Sequence, residues 1–589
     1  MNYSIKYIIL SLIAVFASAN ASAQQQDELT KEITVETDYR PAERKVSKLN
    51  KLPVVAKSDV PKYSLKYSEW AEPVDVPALA PLMLPYGYLT SHNFSNQRGY
   101  FDFGISSLID IAGNAGLAIV DKSETSLNLW VRHNSSWNGR NKSLNLPPTL
   151  NVVPKQKFND NIICLNLSHK FYQGTLSASL RYHYDHFNYY GGISNIADTM
   201  QTINEFRIAL GWTNSPRNSA LKYSASLVFN HFDFAKAMNH VDNSKGLADN
   251  RLSLLFNASN DCGNATSFGA NAKIDYLSRK FHSANNLLLT NDDAQPAVHS
   301  ESTALVSLSP FLHYKNDKIN AKAGINVDIS FNDGTALRFS PDIRLNCSLT
   351  DGLNFFLDAR GGKRLTALCD MFATNRYINP SAPLSNSYTP IDAEAGFKIG
   401  MFAGFHAKLF AGYGVFKDMP LPTADYTDLT ANFATTYLPF NVKGWKAGVE
   451  LGYKFHYAEA EFAVTYAPQE VDKGYLLGPD RAKCVATASV TVNPIAGLKV
   501  SAGYELRAKR SVAMPAVAVS DNSLAPISES YQLCDIGNVC NLSLSASYQI
   551  SKMLGFFISA DNLLDRRWDN FYMMGAQPLS LLAGASLIF

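Results

Sequence analysis

From Gly99 to the C-terminus, apolar side chains recur at every second position in segments of about ten residues, and this alternation limits the fold more than any other feature. Leu498, Val500, Ala502, Tyr504, Leu506 and Ala508 alternate with Lys499, Ser501, Gly503, Glu505, Arg507 and Lys509. Trp445, Ala447, Val449, Leu451, Tyr453 and Phe455 alternate with Lys446, Gly448, Glu450, Gly452 and Lys454. Leu542, Leu544, Ala546, Tyr548 and Ile550 repeat the pattern against Asn541, Ser543, Ser545, Ser547 and Gln549. A helix would scatter these charges over its surface, whereas a strand sends successive side chains to opposite faces. About ten residues is also the length a tilted strand needs to cross a bilayer. A soluble sandwich has one apolar face per strand too, but a chain this long would divide into several domains, and no boundary interrupts the pattern.

The connections sharpen the reading. Short links at 121–124, 172–174, 214–218, 261–265, 315–318, 350–352, 401–404, 456–457, 493–497 and 551–554 take every second place. Between them lie long polar stretches at 136–157, 189–200, 235–249, 282–300, 363–387, 417–434, 468–481, 511–537 and 565–578, with 332–335 a short exception. Short turns at one end and long loops at the other are the pattern of a transmembrane antiparallel β-barrel, here of about 22 strands. An even number of strands places both termini on the short-turn, periplasmic side.

Composition agrees and removes alternatives. With 53 Lys+Arg against 51 Asp+Glu the net charge is +2, which offers no bulk basic field for nucleic acid. A mean hydropathy of −0.11 is too polar for a bundle of membrane helices. The 29 Tyr and 33 Phe favour strands. Residues 1–23 read as a cleaved secretory signal: Lys6, an apolar run from Ile8 to Phe16, then Ala21-Ser22-Ala23. The seven Cys are scattered, which argues against a disulfide framework, although Cys534 and Cys540 are near enough in sequence to bridge.

Residues 24–98 form a different kind of segment. Pro41, Pro53, Pro61, Pro73, Pro77, Pro81 and Pro85 recur with mixed charge and little periodicity, as in an extended arm without a core of its own. Its second half is apolar, with Trp70, Leu79, Leu82, Met83, Leu84 and Tyr86. Those side chains need a surface, and the lumen or periplasmic rim of the barrel is the nearest one. At the other end of the barrel, Leu579, Leu581, Ala583, Ala585, Leu587 and the terminal Phe589 make one apolar face suited to closing the seam against the first strand.

Several of these residues resemble a known family. The run 338–345 (RFSPDIRL) with 352–359 (GLNFFLDA), and the motif Ala560-Asp561-Asn562-Leu563-Leu564-Asp565 before a strand ending at Phe589, resemble the mid-barrel strands and last hairpin of TonB-dependent receptors. Gly99-Tyr100-Phe101-Asp102-Phe103-Gly104 with 130–136 (WVRHNSS) resembles a barrel-only, Bacteroidetes-type group of such proteins. The resemblance spans 99–589 and implies a cell outer-membrane location, ligand transport or binding there, and as partners outer-membrane lipids, the barrel assembly machinery, and TonB or a surface or periplasmic lipoprotein. Glu32-Ile33-Thr34-Val35-Glu36 sits where a TonB box would and resembles one. The roughly 75 residues of the arm are fewer than the plug domain that the resemblance would imply. A scaffold barrel holding a lipoprotein or other envelope component is the alternative function.

Catalytic chemistry is not indicated. Arg181-Tyr182-His183-Tyr184-Asp185-His186 holds two imidazoles and a carboxylate, but alternation puts His183 and Asp185 on the inner face and His186 on the other, so three metal ligands do not gather. No zinc-protease, nucleophile-elbow or phosphate-loop motif occurs in a supporting context, so neither enzyme, cofactor nor metal is expected. Lys446, Glu450, Lys454, Glu459, Glu461, Asp392, Glu394, Lys398, Asp358 and Arg360 are placed on the lumen face, where both signs are expected to pair across the interior.

Overall fold

A computed structural model describes residues 98–589, apart from 141–154, 191–199, 215–220, 237–245, 264, 283–297, 333, 381–383, 403, 425–434, 472–481, 521–522 and 572. The signal and arm readings, with Glu32 to Glu36, Trp70, Leu79, Leu82, Met83, Leu84 and Tyr86, lie outside the described residues.

Among the described residues, 22 strands close into one antiparallel barrel. Each pairs with the next around the wall, and the last, Ser580–Ile588, pairs with the first, Gly99–Ser106, from Tyr100↔Ile588 to Ser106↔Leu582. Closure gives the ladder no free edge, so backbone donors and acceptors are satisfied all round. The seam continues one residue further: Gly99 N donates to Phe589 O at 2.8 Å and Phe589 N to Gly99 O at 2.9 Å. Gly99 leaves room for the Phe589 ring, which a Cβ at 2.6 Å would push aside. Leu587 lies opposite both Phe101 and Leu554, and Leu587 and Phe589 point outward.

The alternation sorts the two faces as the period requires. Trp445, Leu451 and Tyr453 stand on the outside, 49%, 36% and 44% uncovered by protein. On the inside, Lys408 meets Glu394 at 3.1 Å and Glu450 at 3.3 Å, and Lys446 meets Glu394 at 3.1 Å and Asp392 at 3.4 Å. These pairs run along the wall between strands one or two places apart, not across the interior as expected, because the lumen is wider than two side chains can span. The short links fall together at one end, where Gly497 turns with φ +84°.

The long stretches differ more from expectation. Residues 417–434 and 511–537 are not plain loops: the strand Phe405–Ala424 runs on through 417–424, pairing with the start of Thr435–Lys454, and the hairpin Ser511–Ser520/Ser523–Asp535 fills the second. Strand continues in 468–481 as Gln469–Val471 and in 565–578 as Asp569–Phe571 with Met574–Gly575. Beyond the apolar belt the outward face no longer has to be apolar, and side chains such as Leu421, Val442 and Val471 pack against one another instead, so the period-two signal disappears while the ladder persists. A second short link at this end, residues 107–110, was not anticipated; Ser106 Oγ holds it by accepting from Leu108 N and Asp110 N at 3.1 and 3.0 Å. Cys540 is a free thiol, so the local bridge to Cys534 is not formed.

Candidate functional site

Wall side chains cannot fill a barrel of this size, so large buried side chains mark where another segment enters it. They gather at the long-loop end around residues 365–386, which join Leu353–Arg364 to Ser387–Phe402. This segment turns inward and carries a helix, Leu368–Thr374, whose buried face is Leu368, Met371 and Phe372. No side chain of its own caps the helix. Instead Asp249 from the wall accepts from Leu368 N at 2.8 Å, placing a carboxylate at the positive end of the helix. The same carboxylate receives Arg279 Nε and Nη2 at 2.8 and 2.9 Å, and Arg279 Nη2 also donates to Thr366 O at 2.9 Å.

After the helix the segment reaches strands far around the wall. Arg376 Nε donates to Asp185 Oδ2 at 2.5 Å, Arg376 Nη2 lies 3.5 Å from Asp160 Oδ2, and the guanidinium stacks on Phe158 at 4.3 Å. Tyr377 receives Gln156 Nε2 at 2.6 Å, and Tyr189 donates to Ile378 O at 2.8 Å. Ile378 pairs with Thr435, on the opposite side of the segment's own anchor strands. A segment rooted between Arg364 and Ser387 that bonds inward-facing residues of Lys155–Lys170, Gly174–Asn188 and Thr435–Lys454 spans the lumen as a chord. Phe187, Phe232 and Phe234 pack around Phe372 from the wall, at ring distances of 5.8, 5.4 and 6.1 Å.

The charges at this contact balance. His183 places Nε2 2.9 Å from Asp160 and Nδ1 3.3 Å from Glu205; Arg132 and Arg181 lie 3.5 and 3.9 Å from the same two carboxylates. The guanidiniums of Arg132, Arg181 and Arg376 thus face the carboxylates of Asp160, Asp185 and Glu205. Burial pulls the Arg376 pKa down, but Asp185, Tyr377 and Asp160 more than reverse this, so it stays charged above its ordinary range. Burial, and then the Asp370 charge, push the Cys369 thiol far above the usual thiol range, so it is inert as a nucleophile. Each imidazole nitrogen of His183 serves a different carboxylate, an arrangement that ties strands together and does not converge on an ion. Among the described residues no group of three or more His, Cys, Asp or Glu could hold a metal.

His183 and Asp185 do share the inner face, while His186 turns away to Thr202 at 2.8 Å. Sequence reasoning did not single out Arg376 or the helix. A signal existed: Leu365, Leu368, Met371 and Phe372 are apolar at near-helical spacing inside a stretch otherwise read as polar loop. At the opposite end, a cleft of about 480 Å³ among the short turns is lined by Lys499, Gln549, Phe557 and Ser586 together with the exposed Ile495, Tyr548 and Phe556.

No protein-family model and no curated protein matches the sequence. Solved structures do match in fold. The ferric enterobactin receptor PfeA of Pseudomonas aeruginosa aligns with TM-score 0.62 and 12% identity over 84% of this chain and 81% of that one. The siderophore receptor PirA of Acinetobacter baumannii aligns with TM-score 0.62 and 12% identity over 85% and 81%. The FrpB iron transporter of Neisseria meningitidis aligns with TM-score 0.62 and 11% identity over 84% and 82%. At these identities what is shared is the 22-strand barrel itself.

Proposed function

We propose that the protein is an outer-membrane barrel of the transport type, with the short turns in the periplasm, the long loops outside, and passage through the lumen governed by residues 365–386. The observation that supports this reading is the closed barrel of receptor size with a mixed-charge inner wall, crossed by one segment at its outer mouth. In this reading the arm obstructs the periplasmic mouth through Trp70, Leu79, Leu82, Met83, Leu84 and Tyr86, and Glu32 to Glu36 serve as the contact for TonB. Replacing 366–385 with a short Gly-Ser linker should raise single-channel conductance in planar bilayers. A further rise on deleting residues 24–96 as well would assign the second barrier to the arm. Unchanged conductance in both variants would refute the transport reading.

A scaffold role, holding a lipoprotein or another envelope component, is the second reading. It is favoured by the firmness of the chord: Asp249, Asp185, Asp160 and an aromatic core all hold it, which suits a fixed wall better than a moving gate. Isolation from native membranes separates the two, since a scaffold co-purifies stoichiometrically with its partner.

A further inference from the structure

The wall around the seam is short. Val539–Gln549, Leu554–Asp561, Ser580–Ile588, Gly99–Ser106 and Ile111–Asp121 contain 11, 8, 9, 8 and 11 residues, against 20 in Phe405–Ala424 and 20 in Thr435–Lys454. An eight-residue strand tilted by about 45° covers about 19 Å of height, less than the apolar band of about 25 Å on a membrane barrel. On this side the long-loop rim therefore sits at the level of the bilayer surface. Ile109, Leu564 and Leu579, 55%, 46% and 38% exposed, carry the apolar belt past the strand ends.

Cations stand beside them. Arg566 and Arg567 are exposed, and among the described residues neither side chain makes a hydrogen bond or salt bridge. Arg566 is near enough to act electrostatically on Tyr504, an outward aromatic of Leu498–Ala508. The nearby acids are engaged elsewhere: Asp565 accepts from Leu579 N at 3.2 Å, Asp535 from Gly537 N at 2.8 Å, and Asp569 is fully buried. The turn is rigidly built by the asparagine of the motif noted in the sequence. Asn562 Nδ2 donates to Arg566 O and Gln577 O at 2.9 and 3.0 Å, while its Oδ1 accepts from Arg566 N at 3.0 Å.

We propose that this rim, Arg566 and Arg567 above Leu564 and Leu579, binds the phosphate-bearing headgroup of a lipid in the leaflet on the long-loop side. Apolar side chains below and unpaired guanidiniums above match the acyl and phosphate levels of such a lipid. The inference rests on the membrane-spanning reading but is independent of whether anything is transported. The test uses the full chain purified in neutral detergent, titrated by native mass spectrometry with dioctanoyl phosphatidylglycerol and dioctanoyl phosphatidylcholine. The wild type should prefer the anionic lipid by about tenfold, a preference lost in R566Q/R567Q and kept in R566K/R567K. A heat-dependent gel shift of each variant reports the barrel separately, so failure of the barrel and failure of the site are distinguishable. If R566Q/R567Q does not assemble, R567Q alone is read, with a loss of about threefold expected. No preference in the wild type, an undiminished preference in the Gln variant, or equal displacement by inorganic phosphate would each overturn the proposal.

Discussion

Arg376 concentrates the energetics of the long-loop end in one side chain. Its partner Asp185 is wholly buried, so truncation strands that carboxylate without water or an ion-pair partner, while Asp160 keeps Arg132 and His183. Removing one member of a buried pair costs about 3 to 5 kcal/mol. We expect Arg376→Ala to release residues 365–386 while the barrel still assembles, seen as higher conductance with an intact heat-dependent gel shift. Cys369 gives a second readout: its buried, protonated thiol should react slowly with maleimide at pH 7 to 8 in the wild type and much faster in the variant. Equal labelling rates in the two proteins would show that Arg376 does not hold the segment. Arg376→Lys should lie between them, since a point charge cannot serve Asp185 and Asp160 while stacking on Phe158.

At the scale of elements, strand identity and facing follow from local alternation. Val449 is central in the outward set of Thr435–Lys454, and its neighbour Glu450 faces inward to Lys408. Val449→Arg should destabilise by about 2 to 4 kcal/mol, whereas Glu450→Gln removes only a half-exposed ion pair and should cost less than about 1 kcal/mol. Urea unfolding in detergent or lipid compares them, and equal costs would reverse the facing assigned to this strand. The inward helix is different in kind. Seven residues without a cap of their own do not form a stable helix in isolation; Leu368–Thr374 exists because Asp249 caps it and Phe232 and Phe234 cover it.

For the whole molecule, the test is topology. A Cys introduced at Asp317, in a short turn, and another at Lys236, at the long-loop end, in a background without native Cys, should label differently in intact cells. Only Lys236→Cys should react with an impermeant maleimide until the envelope is opened, and the reverse result would invert the barrel. The sequence by itself determined that there is a barrel, its approximate strand number, the facing of strands such as Leu498–Ala508 and Val539–Gln549, and the end at which the turns are short. All of these depend on neighbours one or two positions apart, where the period-two pattern and turn residues act directly. Only the tertiary structure decided that residues 365–386 fold inward while 511–535 extend as a hairpin. A polar stretch reads the same in either place. The choice depends on partners such as Asp185, 191 residues from Arg376, and on wall residues that come within reach only once the barrel has closed.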